Sequence, residues 1–377
     1  MKLAPLLAAL RLAAPALGKD DKVMLPALSH FCFDDDNFLA FNDQVAVIVG
    51  LKTGLTLGLH GETLLGVLGA QRGEDVEIKV KGRTATLSGS GKVELPILEK
   101  NEFVFQLPAE EPVLSIPLGP DVRRALELCL ISAGEDSLQP HFNGVTIRIG
   151  KQGTVLFSTD NVTASRVRPP SAKLPSRKEA GVVLPKEAAE LVLKLSPAEG
   201  KPTMHIGERV VVVDFGGEPD VTLVAKLLGA PSSRLDDVFR DHAEKAAGFP
   251  VPAGLDAEIE KAKVLTSRDP LKECTLSVAK GTLVVEAQGA LGRMSTALKI
   301  ESKTAEGEVT VPPENVARML PHTKLLHINA GRSLVLQSEG FDHIVAAVPK
   351  AAPATPVELP PPPPRPKRGI EDDDIPY

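Results

Sequence analysis

Apolar and polar residues alternate with a period of two in short stretches along the chain, as in Val76-Glu77-Ile78-Lys79-Val80, Val145-Thr146-Ile147-Arg148-Ile149 and Leu283-Val284-Val285-Glu286-Ala287. Successive side chains of a strand point to opposite faces, so each stretch predicts a half-buried β-strand. Fewer segments show helical spacing. One kind opens at the end of an apolar strand: Leu57-Gly58-Leu59-His60-Gly61-Glu62-Thr63-Leu64-Leu65, then Val183-Leu184-Pro185-Lys186-Glu187-Ala188, then Val311-Pro312-Pro313-Glu314-Asn315-Val316. Proline is tolerated at such a start because its missing N–H has no intrahelical partner there. A second kind precedes each of these, over residues 3–17, 120–133 and 255–266. The chain therefore reads as three repeats of roughly 110 to 120 residues, each with two helices among several strands, in the α+β class. Breaks rich in Pro or Gly near 108–117 and 249–254 divide it into domains 1–110, 111–248 and 249–350. Each is long enough to hold its own core.

After Pro349 the pattern stops. Residues 351–377 run through alanine, proline and threonine to five consecutive prolines, Pro360 to Pro364, then Arg365-Pro366-Lys367-Arg368, and finish Glu371-Asp372-Asp373-Asp374-Ile375-Pro376-Tyr377. Such a composition builds no core and predicts a disordered, extended spacer carrying an acidic tip.

The 377 residues are 43 % hydrophobic and 24 % charged, an ordinary globular balance, and hold no apolar run of the ~18 residues that a spanning helix needs. No membrane role is expected. Lys2 and the apolar residues after it imitate a secretory signal, but Arg11 interrupts the apolar region, and Leu6, Leu7, Leu10, Ala14 and Leu17 recur at helical spacing. The formal sequon Asn161-Val162-Thr163 then has no consequence. Cys32, Cys129 and Cys274 are far apart, without CxxC pairs, and read as small buried apolar residues in a reducing compartment. A net charge of −6, no Trp and one Tyr argue against bulk coating by nucleic acid and against base-stacking platforms. Contact with nucleic acid would rest on local charge.

No catalytic constellation emerges. Asp214-Phe215-Gly216 sits in a strand pattern without a kinase catalytic loop, and Gly89-Ser90-Gly91-Lys92 lacks the rest of a phosphate loop and reads as a hairpin turn. Asp34-Asp35-Asp36 lies between strands as a turn, and eight histidines are scattered without ligand spacing. Neither enzyme activity nor a cofactor or metal is expected.

The helical segments carry a positive signal. Val122, Leu126, Cys129 and Ala133 form an apolar stripe, and Arg124 falls about 200° round the wheel from Val122. Lys261 stands in that relation to Ile259, Lys194 to Val192 and Arg318 to Val316, while Arg11, Arg72, Arg123, Lys186 and Arg268 lie on or beside the same helices. Glu127, Glu190 and Glu258 suit an ordinary solvated face. Repetition of the cation on equivalent helices points instead to one surface that meets phosphates without reading bases.

Several segments in this order resemble the sliding clamp, the beta subunit of bacterial DNA polymerase III, in a phage or otherwise divergent form. Leu25-Pro26-Ala27-Leu28-Ser29-His30-Phe31 is similar to the family's LPIL-x-N segment, and Gln139-Pro140-His141-Phe142-Asn143-Gly144-Val145 to its R-x-x-LNG-x. Ser158-Thr159-Asp160 stands where the family has ATDGHRLA, Ala225-Lys226-Leu227-Leu228-Gly229 with Pro231 resembles SKL-x-x-G-x-FP, and Val345-Ala346-Ala347-Val348-Pro349 the closing V-x-P-M-R-L. The resemblance implies a three-domain clamp fold with two inner helices and outer antiparallel sheets per domain. It also implies a head-to-tail homodimer closed around duplex DNA in the bacterial cytoplasm. Lys22 takes the place of a loop arginine, and Pro140 and His141 replace two aromatic residues.

The resemblance further implies a groove for polymerase and clamp-loader peptides, walled by Phe142, Thr159, Asn161, Val162, Ala164, Pro231, Val348 and Pro349. Asn161-Val162-Thr163-Ala164 replaces GHRL, and Lys350-Ala351 replaces the terminal M-R-L. The tip, with Asp372, Asp373, Asp374, Ile375, Pro376 and Tyr377, resembles the C-terminal tip of bacterial single-stranded-DNA-binding protein, and implies docking to proteins that recognise that tip. The competing expectation is a scaffold of the same fold that gathers replication or repair proteins without encircling DNA.

Overall fold

The computed structural model describes residues 1–19, 24–135, 138–150, 153–171, 180–196, 201–232, 234–244 and 248–349. Lys22 and the tail 351–377 lie outside the described residues. The first repeat runs α1 (Leu3–Ala13), β1 (His30–Asp34), β2 (Asn37–Phe41), β3 (Val45–Gly50), β4 (Thr56–His60), α2 (Gly61–Ala70), β5 (Glu77–Lys81), β6 (Thr84–Ser88) and β7 (Lys92–Pro96). The second opens with β8 (Leu114–Pro117) and α3 (Pro120–Leu130). It continues through β9 (Gly144–Gly150), β10 (Gly153–Thr159), β11 (Thr163–Val167), β12 (Ala180–Pro185), α4 (Lys186–Leu195), β13 (Thr203–Ile206), β14 (Val210–Asp214) and β15 (Val221–Lys226). Helix α5 (Leu235–His242) follows, absent from the sequence reading. The third repeat has β16 (Phe249–Pro250), α6 (Leu255–Thr266), β17 (Cys274–Ala279), β18 (Thr282–Gly289), β19 (Gly292–Lys299), β20 (Gly307–Val311), α7 (Pro313–Met319), β21 (Leu325–Asn329), β22 (Ser333–Ser338) and β23 (Phe341–Ala346).

Each repeat builds two half-sheets, and the repeats join through them. One eight-stranded sheet is ordered β4-β1-β2-β3-β15-β14-β13-β8, and a second β12-β9-β10-β11-β23-β22-β21-β16. At both junctions the third strand after the first helix of one repeat pairs antiparallel with the last strand of the next, Val47 opposite Leu223 in the first case and Ser165 opposite His343 in the second. Two half-sheets are left, β5-β6-β7 and β19-β18-β17-β20. Gly144 lets β9 approach β12, since a Cβ there would lie 2.2 Å from the Leu184 carbonyl oxygen.

The paired helices α1/α2, α3/α4 and α6/α7 cover one side of the sheets. Leu6, Leu10, Leu64, Leu68, Val122, Leu126, Cys129, Val192, Ile259 and Val316 are buried in a core shared with the strands. Residues 3–17 fall short of one helix: after Ala13 the backbone tightens to a 3-10 turn over Ala14–Ala16, where Pro15 supplies no N–H to continue the ladder. The three cysteines are buried free thiols, each pushed up to about 12 by burial. Asp34–Asp36 and Gly89–Lys92 form hairpin turns, the first with Asp35 at φ 57°.

The β11–β23 junction places different chemistry on its two faces. Outward, Arg166 stands opposite Asp342 and binds it at 2.7 Å, while a second guanidinium nitrogen reaches Glu244 at 2.9 Å. Arg168 and Gln337 also donate to Asp342. Burial alone pushes the Asp342 carboxyl up; the Gln337 hydrogen bond and the adjacent Arg166 outweigh it and hold the group below the ordinary carboxylate range. Inward, Ser165 lies 2.9 Å from His343 Nδ1 and 2.8 Å from Ser132 at the end of α3. Burial pushes His343 down to about 3.

Two outcomes follow from these faces. Arg166→Met leaves the buried Asp342 carboxylate with only Arg168 and Gln337 and is expected to cost about 3 kcal/mol in denaturant unfolding. The double variant Arg166→Met/Asp342→Leu should recover most of that loss. His343 is neutral in the fold but takes up a proton below its usual value of 6.5 once unfolded. Its stabilisation is therefore complete above pH 6.5 and is lost as pH falls from there towards 3, by about 2 kcal/mol at pH 5. Urea midpoints at pH 7.5 and 5 should diverge less for His343→Leu than for the parent chain.

Candidate DNA-facing and partner-docking surfaces

The helix pairs present their unburied stripes away from the sheets, and most of the expected cations lie on or beside them. Arg11, Arg72, Arg124, Lys194, Lys261, Arg268 and Arg318 are exposed, and Arg123 and Lys186 half-buried. Several are paired: Arg124 with Glu127 at 2.8 Å, Lys261 with Glu258 at 2.8 Å, and Lys186 with Glu135. Arg124 also donates to His322 Nδ1 at 2.5 Å, linking α3 to the turn after α7. Partial burial, and then Arg124 itself, hold His322 below its ordinary value. Among the described residues Arg11, Arg72, Lys194, Arg268 and Arg318 enter no ion pair.

The six helices of the repeats together carry eight basic and nine acidic side chains. Their field is consequently weak. With acids and bases nearly equal in number on these helices, phosphate contacts on this surface would be few and strongly screened.

The expected groove residues divide into two groups. Thr159, Asn161, Val162 and Ala164 share one tight turn, in which Asp160 Oδ1 accepts from the Val162 and Thr163 amides at 2.9 and 2.5 Å, and Thr159 Oγ1 donates to the Thr163 carbonyl at 2.7 Å. Asn161 has φ 74°, a conformation that asparagine tolerates better than most residues. The Ala346 amide donates to the Val162 carbonyl at 2.9 Å, which brings the end of β23 alongside. Val348 is half-buried, its amide bonded to Thr310, and Pro349 is exposed. Pro231 instead packs on Gly181 of β12, with β9 and β10 between it and β11. Phe142 is half-buried in the 3-10 turn Pro140–Phe142.

Helix α5 occupies the sheet face between these groups. Leu235, Phe239 and Ala243 cluster with Phe157, Ala164, Val335 and Ile344. Arg148 of β9 pairs with Asp236, and its guanidinium lies 5.0 Å from the Phe157 ring centre; Arg166 lies 4.7 Å from that of Phe239. Leu235, Phe239, Arg148, Arg166 and Asp342 were missed by the sequence reading. A signal for α5 was present: apolar residues at 235 and 239, with Asp236 and Asp237 in the first turn and Arg240 and His242 in the last.

No protein-family model matches the chain. No curated protein matches it either. Solved structures do. DNA polymerase III subunit beta from Pseudomonas aeruginosa is 14% identical with a TM-score of 0.81, over 93% of this chain and 99% of that one. The DNA polymerase sliding clamp from Bacillus subtilis is 14% identical, TM-score 0.81, over 93% and 98%. DNA polymerase III beta subunit from Thermotoga maritima is 16% identical, TM-score 0.77, over 93% and 99%. At these identities the likeness is one of architecture. The chain has the clamp fold of bacterial DNA polymerase III beta subunits across nearly its whole described length.

Proposed function

We propose that the chain is a sliding clamp: two copies join head to tail into a ring around duplex DNA and tether a DNA polymerase to its template, with no chemistry of their own. One observation carries this reading. At both junctions within the chain the third strand after the first helix of a repeat pairs with the last strand of the next, and by that rule β19 and β7 are the two edges left to meet. They belong to opposite ends of the same chain. Pairing β19 of one copy with β7 of another repeats the internal contact, and two copies of three repeats supply six units for a closed ring. The inner surface would include Arg11, Lys22, Arg72, Arg123, Arg124, Lys186, Lys194, Lys261, Arg268 and Arg318. Its near-balance of charge suits a ring that holds DNA by enclosure and slides, since tight phosphate contacts would anchor it.

Polymerase and clamp-loader peptides would dock around Phe142, Thr159, Asn161, Val162, Ala164, Val348 and Pro349, with Pro231 on the far side of α5. The tail supplies a further contact. Its acidic run with Ile375, Pro376 and Tyr377 behind a proline spacer suits capture by proteins that recognise the tip of single-stranded-DNA-binding protein, the acids steering approach and the apolar residues filling a pocket.

The charge balance of the helices also favours a second reading, a clamp-fold scaffold that never encloses DNA. Small-angle scattering on the full chain should give twice the 39.9 kDa monomer mass and a hollow-disc profile. The ring should persist on nicked circular DNA and be lost when the circle is linearised. A monomer, or equal retention on both forms, would discard the ring in favour of the scaffold. Deleting Ile375, Pro376 and Tyr377 is expected to abolish pull-down of tip-recognising proteins while leaving circle retention intact; undiminished pull-down would remove the tail from this account.

A further inference from the structure

The connection between the first two repeats runs beside a trough on the sheet. Glu110 pins it there: its carboxylate accepts from the Glu208 amide at 2.7 Å and the Arg209 amide at 3.2 Å, in the turn between β13 and β14. Between the connection, that turn, the end of β15 and the edge strand β12 lies a cavity of about 1240 Å³, bordered by Pro108, Glu111, Val113, Gly181, Glu208 and Lys226 among others. A hollow of about 290 Å³ walled by Phe41, Val104 and Phe105 continues it, since Pro108, Val210 and Lys226 border both.

Two chemistries meet along this trough. The rings of Phe41 and Phe105 are half-buried, and the connection exposes Val104 (43%), Leu107 (62%) and Val113 (59%). Towards β12 the acids Glu110, Glu111 and Glu208 stand with Arg209 and Lys226, and Lys226 is already held by Asp43 at 2.8 Å. Among the described residues Glu111, Glu208 and Arg209 enter no ion pair, so the free charge of the wall is acidic on balance.

An occupant suited to this trough brings apolar surface that costs little entropy to order, followed by positive charge. The chain supplies one. Pro360 to Pro364 favour a preformed polyproline helix, the kind of segment that beds on aromatic-lined grooves, and Arg365-Pro366-Lys367-Arg368 follow directly. The reach suffices. Pro349 ends the chain beyond β23, and Gly181 lies on β12 four strands away in the same sheet, a separation of roughly 35 Å by strand spacing and rise. Fifteen residues lie between Pro349 and Arg365, enough for about 47 Å in the polyproline form.

We infer that residues 360–368 of the chain's own tail dock in this trough, with the prolines against the apolar side chains of the connection and the three cations against Glu111 and Glu208. Docking requires neither a closed ring nor a tip-recognising protein. Its consequence is that Glu371 to Tyr377 leave the body at the first junction, far from where the tail begins.

Methyl NMR of the full chain at low salt tests this. Arg365→Glu/Lys367→Glu/Arg368→Glu is expected to shift the methyl signals of Val104, Leu107 and Val113 and to leave those of Val162 and Val348 in place. Combining it with Glu111→Lys/Glu208→Lys reverses both partners and should restore the parent positions at Val104 and Leu107. A synthetic peptide of residues 359–368 titrated onto the tail variant should move the signals back, and should bind about tenfold more weakly when that variant also carries Glu111→Lys/Glu208→Lys. Identical signals in the parent and the tail variant overturn the inference. So do shifts at Val162 and Val348 in place of the connection, or a combined variant that restores nothing. Retention on circular DNA and pull-down through the tip are read separately, and the loss of either leaves this outcome untouched.

Discussion

The structure depends on what becomes of the edges of its sheets. An edge strand presents a row of unpaired N–H and C=O groups, and a long apolar one invites uncontrolled pairing. Here β3 and β11, each buried along most of its length, would be such edges if a repeat stood alone. Each is closed by the last strand of the following repeat, so the repeats cannot separate without exposing a ladder. Other features follow from that choice. With the sheet plane continuous, connections between repeats must cross its face, and both do: Phe105 of the first connection lies 5.1 Å from Phe41, and Phe239 of the second 5.9 Å from Phe157. The helices are left with the opposite face.

That division separates two kinds of chemistry by the pleat of the strands. On β11 and β23, Ala164, Arg166, Asp342 and Ile344 face α5, whereas Ser165, His343 and Val345 face α3 and the helical core. An ion pair on one face and a serine–histidine contact on the other fix the register of one junction twice, because a slip of one residue would bury the unpaired charge. The corresponding pairs at the β3–β15 junction are aliphatic, with Val47 against Leu223 and Ala46 against Val224. Within the paired strands the register there is set by apolar matching, with Lys226 reaching Asp43 at 2.8 Å and the Gln44 side chain donating to the Lys226 carbonyl at 2.7 Å at the strand ends.

Much of the architecture was legible in the chain because it is repeated. The helix stripes at 122, 126 and 129 and at 259 and 262 are buried, and the proline-marked starts near 185 and 313 open helices. Joining of half-sheets across repeats was not legible from alternation alone, since a period of two identifies a strand's faces but not its neighbour. Helix α5 escaped because eight residues with a strongly charged face look like loop until a sheet is available to receive Leu235 and Phe239. The electrostatics of the inner helices were half legible. Cations opposite the apolar stripe were visible one helix at a time, while their neutralisation by Glu127, Glu135 and Glu258 requires the three-dimensional pairs.

The same crossing that covers the second junction also shapes what can dock there. Lifting α5 would uncover Phe157, Ala164, Val335 and Ile344, break the pairs of Arg148 with Asp236 and Arg166 with Glu244, and leave Arg166 over no ring. Those losses compound, because the exposed apolar area and the stranded charges come from one movement. A peptide that seats beside the helix meets no such cost. Along that margin Val162 is 45% exposed, Pro349 is exposed and Val348 half-buried, and the turn beneath them is held by three hydrogen bonds to Asp160. The proposed docking surface is therefore a narrow rigid margin between the 159–163 turn and the end of β23, with α5 as its fixed wall, and the side chains at 161, 162 and 348 set its preference more than the buried alanine at 164 does.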